Sequence, residues 1–212
     1  MHNTSKIALL GGSGRTAQFV IKELLRQKYQ PKILVRNSLQ LPYNDGEIEV
    51  VQGDALEKSS VMTLLKGCTA VINTMGQRKD EPLVATAAQK NILQSMQHHG
   101  ISRYILLTGI NVDAPGDEKG VQTQAATSWM ASHYPTFQRD RQNALGELLT
   151  SSIDWTVVRV PMIVFTDEPS SSEASLKDCG STSITAGNIA KFLVSQLRDT
   201  RYLKACPFIF NN

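Results

Sequence analysis

Three cysteines among 212 residues, Cys68, Cys179 and Cys206, are odd in number and too widely spaced for a disulfide framework, and they include no Cys-x-x-Cys pair. They read as reduced thiols of a cytoplasmic protein. No apolar run approaches the roughly eighteen residues that cross a bilayer. The polar N-terminus passes almost at once into a first strand, so neither a signal peptide nor a membrane partner is expected. Lysine and arginine exceed aspartate and glutamate by a formal charge of only +3, with a pI near 8.8 and no basic run. That argues against nucleic acid and favours an anionic ligand. A Gly-x-Ser-x-Gly elbow is also missing, which removes the support for hydrolase chemistry. No internal repeat is present, and the length suits a single domain.

The sequence is organised around Lys6–Ala17, KIALLGGSGRTA. Ile7 to Leu10 reads as a buried parallel strand that breaks into Gly11, Gly12 and Gly14 before an amphipathic segment begins. Glycine permits positive φ and lets a ligand approach the backbone, while the first N–H groups and the dipole of the following helix favour an anion there. Two registers fit a dinucleotide-binding turn, Gly12-x-Gly14-x-x-Ala17 and Gly11-x-x-Gly14-x-x-Ala17. A second apolar run, Lys32–Arg36, ends 19 residues after Ala17, where the residue that reads the adenosine ribose is expected. A carboxylate there would bond a free 2′-hydroxyl; the guanidinium of Arg36 instead forks onto phosphate oxygens, which predicts NADP(H) over NAD(H). Arg15, within the glycine turn, is a second candidate for the 2′-phosphate.

Strands and helices alternate along the rest of the chain, as in a Rossmann-type α/β fold with a doubly wound parallel sheet. A helix over about 15–28 is followed by the Arg36 strand and a loop over 37–46 punctuated by Pro42. A third strand, Ile48–Gln52, ends in Gly53-Asp54-Ala55; Asp54 is a candidate acceptor for the adenine amino group and also for the N-cap of a helix over 56–66. A fourth strand closes at Gly76, a long helix spans 82–99 with Gly100 as its C-cap, and a fifth strand places Thr108 at its carboxyl end. His98 and His99 are adjacent on a helix with no third ligand at metal spacing, so no metal site is expected. The region 123–149 holds helices broken at Pro135. A sixth strand, Trp155–Val160, ends at Pro161, and 161–185 is expected to form a flap or hairpin near the substrate. A helix over 186–198 and a strand over 207–210 complete the chain.

These segments, in this order, resemble the atypical short-chain dehydrogenase/reductase proteins. GGSGRTA, Arg36, GDAL at 53–56, NTMG at 73–76, SIDWTVVRVP and SITAGNIAKFLVSQLRD are similar to the NAD(P)H-binding, NmrA-like and flavin/biliverdin-reductase-like members. The resemblance implies that Gly11, Ser13, Gly14, Arg15 and Thr16 surround the pyrophosphate and 2′-phosphate. It implies that Arg36 holds the adenosine phosphate and that Asp54 and Ala55 lie at the adenine. Met75 and Gly76 would lie along the ribose, Thr108 at the catalytic serine/threonine position, and Pro161 and Met162 at the nicotinamide end.

One departure limits the chemistry. Many relatives use a Tyr-x-x-x-Lys pair whose lysine lowers the tyrosine pKa. Four residues after Tyr29, Tyr43, Tyr104, Tyr134 and Tyr202 stand Ile33, Glu47, Thr108, Gln138 and Cys206. The expected activity is therefore an NADPH-dependent reduction needing little acid catalysis, of a flavin-, quinone- or carbonyl-type acceptor held against the nicotinamide. Thr108 would orient the carboxamide or substrate, with His133 or Tyr134 as a substitute proton donor. The alternative is an inactive NADP(H) sensor that signals to a protein partner; an epimerase or dehydratase is disfavoured by the missing pair.

Overall fold

The computed structural model describes residues 5–37, 46–77 and 81–212. Most of the loop expected over 37–46, Pro42 included, lies outside the described residues.

The centre of the sheet is β1 (Lys6–Leu10), flanked by β2 (Gln30–Val35) and β4 (Ala70–Asn73). Outside them lie β3 (Glu49–Gln52) on one side and β5 (Arg103–Gly109) and β6 (Asp154–Val160) on the other. All these pairs are parallel. The full order is β3-β2-β1-β4-β5-β6-β10-β8, with β10 (Phe208–Asn211) parallel to β6 and β8 (Ser172–Ser175) an antiparallel edge. Chain order reverses at β1, which opens a crevice at its carboxyl end.

The uninterrupted apolar runs follow from burial on both faces. Successive side chains point to opposite sides, so Ile7 and Leu9 join one core while Ala8 and Leu10 join the other. The first core takes Val20 and Leu24 of α1 (Arg15–Arg26) and Ile189 and Leu193 of α6 (Ala186–Ser195). The second takes Leu64 of α2 (Lys58–Leu65), Ile92 and Met96 of α3 (Ala85–His99), and Leu145 and Leu148 of α5 (Pro135–Leu149). Gly100 ends α3 in the left-handed conformation at φ 66°. Pro135 at the start of α5 separates it from α4 (Val121–His133), since proline suits a first helical position and not an interior one.

Of the flap or hairpin expected over 161–185, the hairpin does not form. β7 (Met162–Val164) and β9 (Ser183–Thr185) pair in parallel, which no hairpin does, and β8 between them extends the main sheet through β10. The register Phe208↔Ser175 to Asn211↔Ser172 fastens this polar stretch to the edge of the sheet.

A buried ion pair secures the loop after β5. The side chain of Arg159, on β6, is 1% exposed and donates to both oxygens of Asp117 at 2.6 and 2.7 Å. It also donates to the carbonyls of Val112 and Cys206, and its guanidinium lies 3.6 Å from the centroid of Phe208. The three thiols are free and buried; burial pushes those of Cys68 and Cys206 up to about 11. Asp117→Ala is expected to lower stability by about 3–5 kcal/mol, because it strands a buried guanidinium. Urea unfolding of the two proteins measures this, and a loss below about 1 kcal/mol, the range of an exposed pair, would contradict the role given to Arg159.

Candidate functional site

The turn after β1 is too tight for side chains at two of its glycines. Gly11 has φ +79°, and a Cβ there would lie 3.0 Å from the Met75 nitrogen; a Cβ on Gly12 would lie 2.8 Å from that of Ile33. Gly14 N donates to Gly11 O at 2.8 Å, closing the turn. Gly14 is also the N-cap of α1, whose first turn has neither a side-chain cap nor an acidic residue. The helix therefore presents backbone donors and its positive dipole end to the cleft. Ala17 is fully buried in the core, Gly11 lines the cleft and Gly12 packs on β2.

The cleft, of about 530 Å³, runs across the carboxyl ends of β1, β2 and β4. Gly11, Ser13, Gly14 and Arg15 form its floor at the helix terminus. Arg36, Asp54 and Ala55 line it after β2 and β3, and Met75 and Gly76 after β4. These nine are residues that the sequence singled out. Leu34, Gly53, Gln77, Glu81 and Pro82 also line it and were not singled out.

Each wall has its own support. Arg36, just beyond β2, donates to the two oxygens of Glu81 at 2.6 and 3.1 Å; this bond, with the charges of Glu81 and Asp54, raises the arginine pKa against a small desolvation. Asp54 does not cap α2, which begins only at Lys58 beyond Glu57. It instead accepts from Leu56 N at 2.9 Å, a local turn that sets the carboxylate at the cleft wall. Asn91 of α3 donates to the carbonyls of Ala55 and Leu56, each at 3.0 Å. Arg15 lies over the ring of Phe165, in the chain that follows β7, 3.9 Å from its centroid.

After β4, Asn73 accepts from Met75 N at 2.9 Å and donates to the Tyr104 hydroxyl, which in turn donates to Gln89. Burial holds the Tyr104 phenol well above its ordinary pKa, so it serves as a fixed neutral bridge. Thr108 is 8% exposed and lines a small cavity of about 10 Å³ that touches the cleft at Met75 and Val84. Arg141 of α5 lines the same cavity. Its guanidinium donates to Met75 O at 3.0 Å, and desolvation lowers its pKa, opposed by the charge of neighbouring Asp140. The Asp140 carboxylate itself caps a different helix, accepting from Ala85 N and Thr86 N of α3 at 2.8 and 3.0 Å. Arg141 was missed in the sequence because nothing local distinguishes it from other helix arginines.

The face of α5 that meets the loop after β5 carries Gln138 and Gln142, four residues apart. Gln138 exchanges two bonds with Asn111, and Gln142 two with the backbone of Asp113. They fasten the loop and, being uncharged amides, neither donate a proton nor tune one. His133 and Tyr134 stand apart at the exposed end of α4, where His133 stacks on Trp129 and Tyr134 is 53% exposed. Thr16, Pro161 and Met162 do not line the cleft; Pro161 is buried and Met162 is 74% exposed. Among the described residues no group of three His, Cys, Asp or Glu is placed to hold a metal, and no helix is long and apolar enough to cross a membrane.

Comparison with known proteins places the fold and the family. The sequence profile of the NAD(P)H-binding family matches residues 11–200, and the chain belongs to that family. Its fold is that of short-chain dehydrogenase/reductase-like proteins. A wide-type member from Veillonella parvula DSM 2008, solved in complex with NADP, superposes with a TM-score of 0.81 at 15% identity, over 97% of this chain and 94% of that one. ChuY of Escherichia coli O157:H7, described as an anaerobilin reductase, gives 0.80 at 15% identity over 97% of both chains. The protein YwnB of Bacillus subtilis (strain 168) is 20% identical over 151 residues, 71% of this chain and 69% of its own.

Gly11→Ala is expected to destabilise the protein by roughly 1–3 kcal/mol, through left-handed strain and contact with the Met75 backbone. Thermal unfolding checks it; unchanged stability would show that the turn tolerates a side chain and is not the close-packed cradle described.

Proposed function

We propose that the protein is an NADP(H)-dependent reductase, acting in the cytoplasm on a flavin-, quinone- or carbonyl-type acceptor. The observation that carries this reading is the cleft that Arg36, the α1 terminus and Met75 line together, with Thr108 and Arg141 beside Met75. The pyrophosphate fits the donors of the α1 terminus, and the 2′-phosphate fits the Arg36 fork. Asp54 and Ala55 take the adenine end. When bound, the nicotinamide supplies the hydride.

The chain's own residues then position, polarise and exclude water. Thr108 orients the carboxamide or the acceptor through its hydroxyl. Arg141, short of water and tied to a carbonyl rather than paired with a carboxylate, provides the positive charge that favours electron density on an acceptor oxygen or nitrogen. Neither group is a proton donor at neutral pH, which suits acceptors that take their proton from solvent. Epimerase or dehydratase chemistry is disfavoured by the missing Tyr–Lys pair.

The test is NADPH oxidation by the purified protein with a panel of flavins, quinones and small carbonyls. At least one acceptor is expected to turn over. Arg141→Met is expected to lower kcat on the order of 10²-fold while leaving NADPH binding in place. NADPH binding without turnover of any acceptor would overturn the reductase reading and favour a cofactor-sensing protein.

A further inference from the structure

The guanidinium assigned to the 2′-phosphate already holds an anion of the protein. Arg36 and Glu81 meet fork to fork, Nη1 to Oε2 at 2.6 Å and Nη2 to Oε1 at 3.1 Å, and both side chains line the cleft. The carboxylate thus takes up the two parallel donors that a phosphate would use.

Glu81 is held in place through its backbone. The Gln77 amide donates to the carbonyls of Glu81 and Pro82 at 3.0 and 3.1 Å and accepts from Val84 N at 3.3 Å. Three backbone groups leading into α3 are therefore tied to one side chain just beyond β4. Downstream, Asp140 fixes the first turn of α3. The carboxylate itself remains 37% exposed and the arginine 41%, so water can solvate either when the pair opens.

We propose that Glu81 sets the preference between NADPH and NADH, as an internal counter-anion that the 2′-phosphate must displace from Arg36. This rests on the cofactor assignment above. A phosphate monoester carries nearly two negative charges at pH 7 against one for the carboxylate, so the exchange runs toward the phosphate. The exposed pair is weak and separates at small cost. NADH, with a free 2′-hydroxyl, leaves the pair closed. The discrimination is therefore smaller than Arg36 alone would give, and Glu81 is the residue that reduces it.

The experiment is titration of NADPH and NADH into wild-type protein, Glu81→Gln, Arg36→Ala and the double variant, followed by cofactor fluorescence at low and high salt. Glu81→Gln is expected to tighten NADPH binding about fivefold and to leave NADH within about twofold, with the gain shrinking in high salt as charges at the surface are screened. In the Arg36→Ala background the same change is expected to have less than about half that effect, because there is no fork left to free. An unchanged or weakened NADPH affinity in Glu81→Gln, or equal tightening of both cofactors, would overturn the proposal. Loss of NADPH preference in Arg36→Ala together with an inert Glu81→Gln would refute the counter-anion role alone. Equal effects of Arg36→Ala on both cofactors would refute the 2′-phosphate assignment, and this inference with it.

Discussion

The site depends on one close approach, that of the Gly11 backbone to the strand end at Thr74 and Met75. With β1 buried on both faces between β2 and β4, its carboxyl end is the only place where the chain can turn out of the sheet toward α1. The turn has room for backbone but not for a Cβ. That closeness brings the uncapped terminus of α1 beside Met75 and Gly76, and the cleft follows from it. Asn73, which holds Met75 N and bonds Tyr104, fixes the opposite lip.

Four arginines show how environment assigns roles to one side chain. Arg159, almost without exposure, is saturated by Asp117 and two carbonyls and holds the loop after β5. Arg15 lies on an aromatic ring and Arg36 on a half-exposed carboxylate. Arg141, whose pKa desolvation lowers, has a carbonyl as its one hydrogen-bond partner among the described residues. The first is committed to the fold. Arg36 and Arg141 keep partners, a half-exposed carboxylate and a carbonyl, that a stronger anion can displace.

Much of this was legible in the sequence because it is local. The apolar runs of β1, β2, β4 and β5 report burial on both faces, and the glycine spacing, Gly100 and Pro135 mark turn, cap and break by their own stereochemistry. Which glycine meets Met75 and which meets Ile33 was not local, since it depends on the packing of the neighbouring strands. The segment 161–185 misled for a similar reason: Ser-Glu-Ala-Ser has no apolar alternation, and β8 is a strand only because β10 offers it an edge. Asp140 capping a helix 55 residues earlier, Glu81 on Arg36 and the place of Arg141 all depend on tertiary contact. Arg159 did leave a signal, a lone charge inside Trp-Thr-Val-Val-Arg-Val, where only a paired arginine can be buried.

The most direct measurement is a crystal structure of the protein grown with NADP⁺. The account predicts the pyrophosphate against the backbone donors between Gly11 and Thr16, with the 2′-phosphate within hydrogen-bonding distance of Arg36. A cofactor bound elsewhere, or one whose 2′-phosphate points away from Arg36 into solvent, would contradict it.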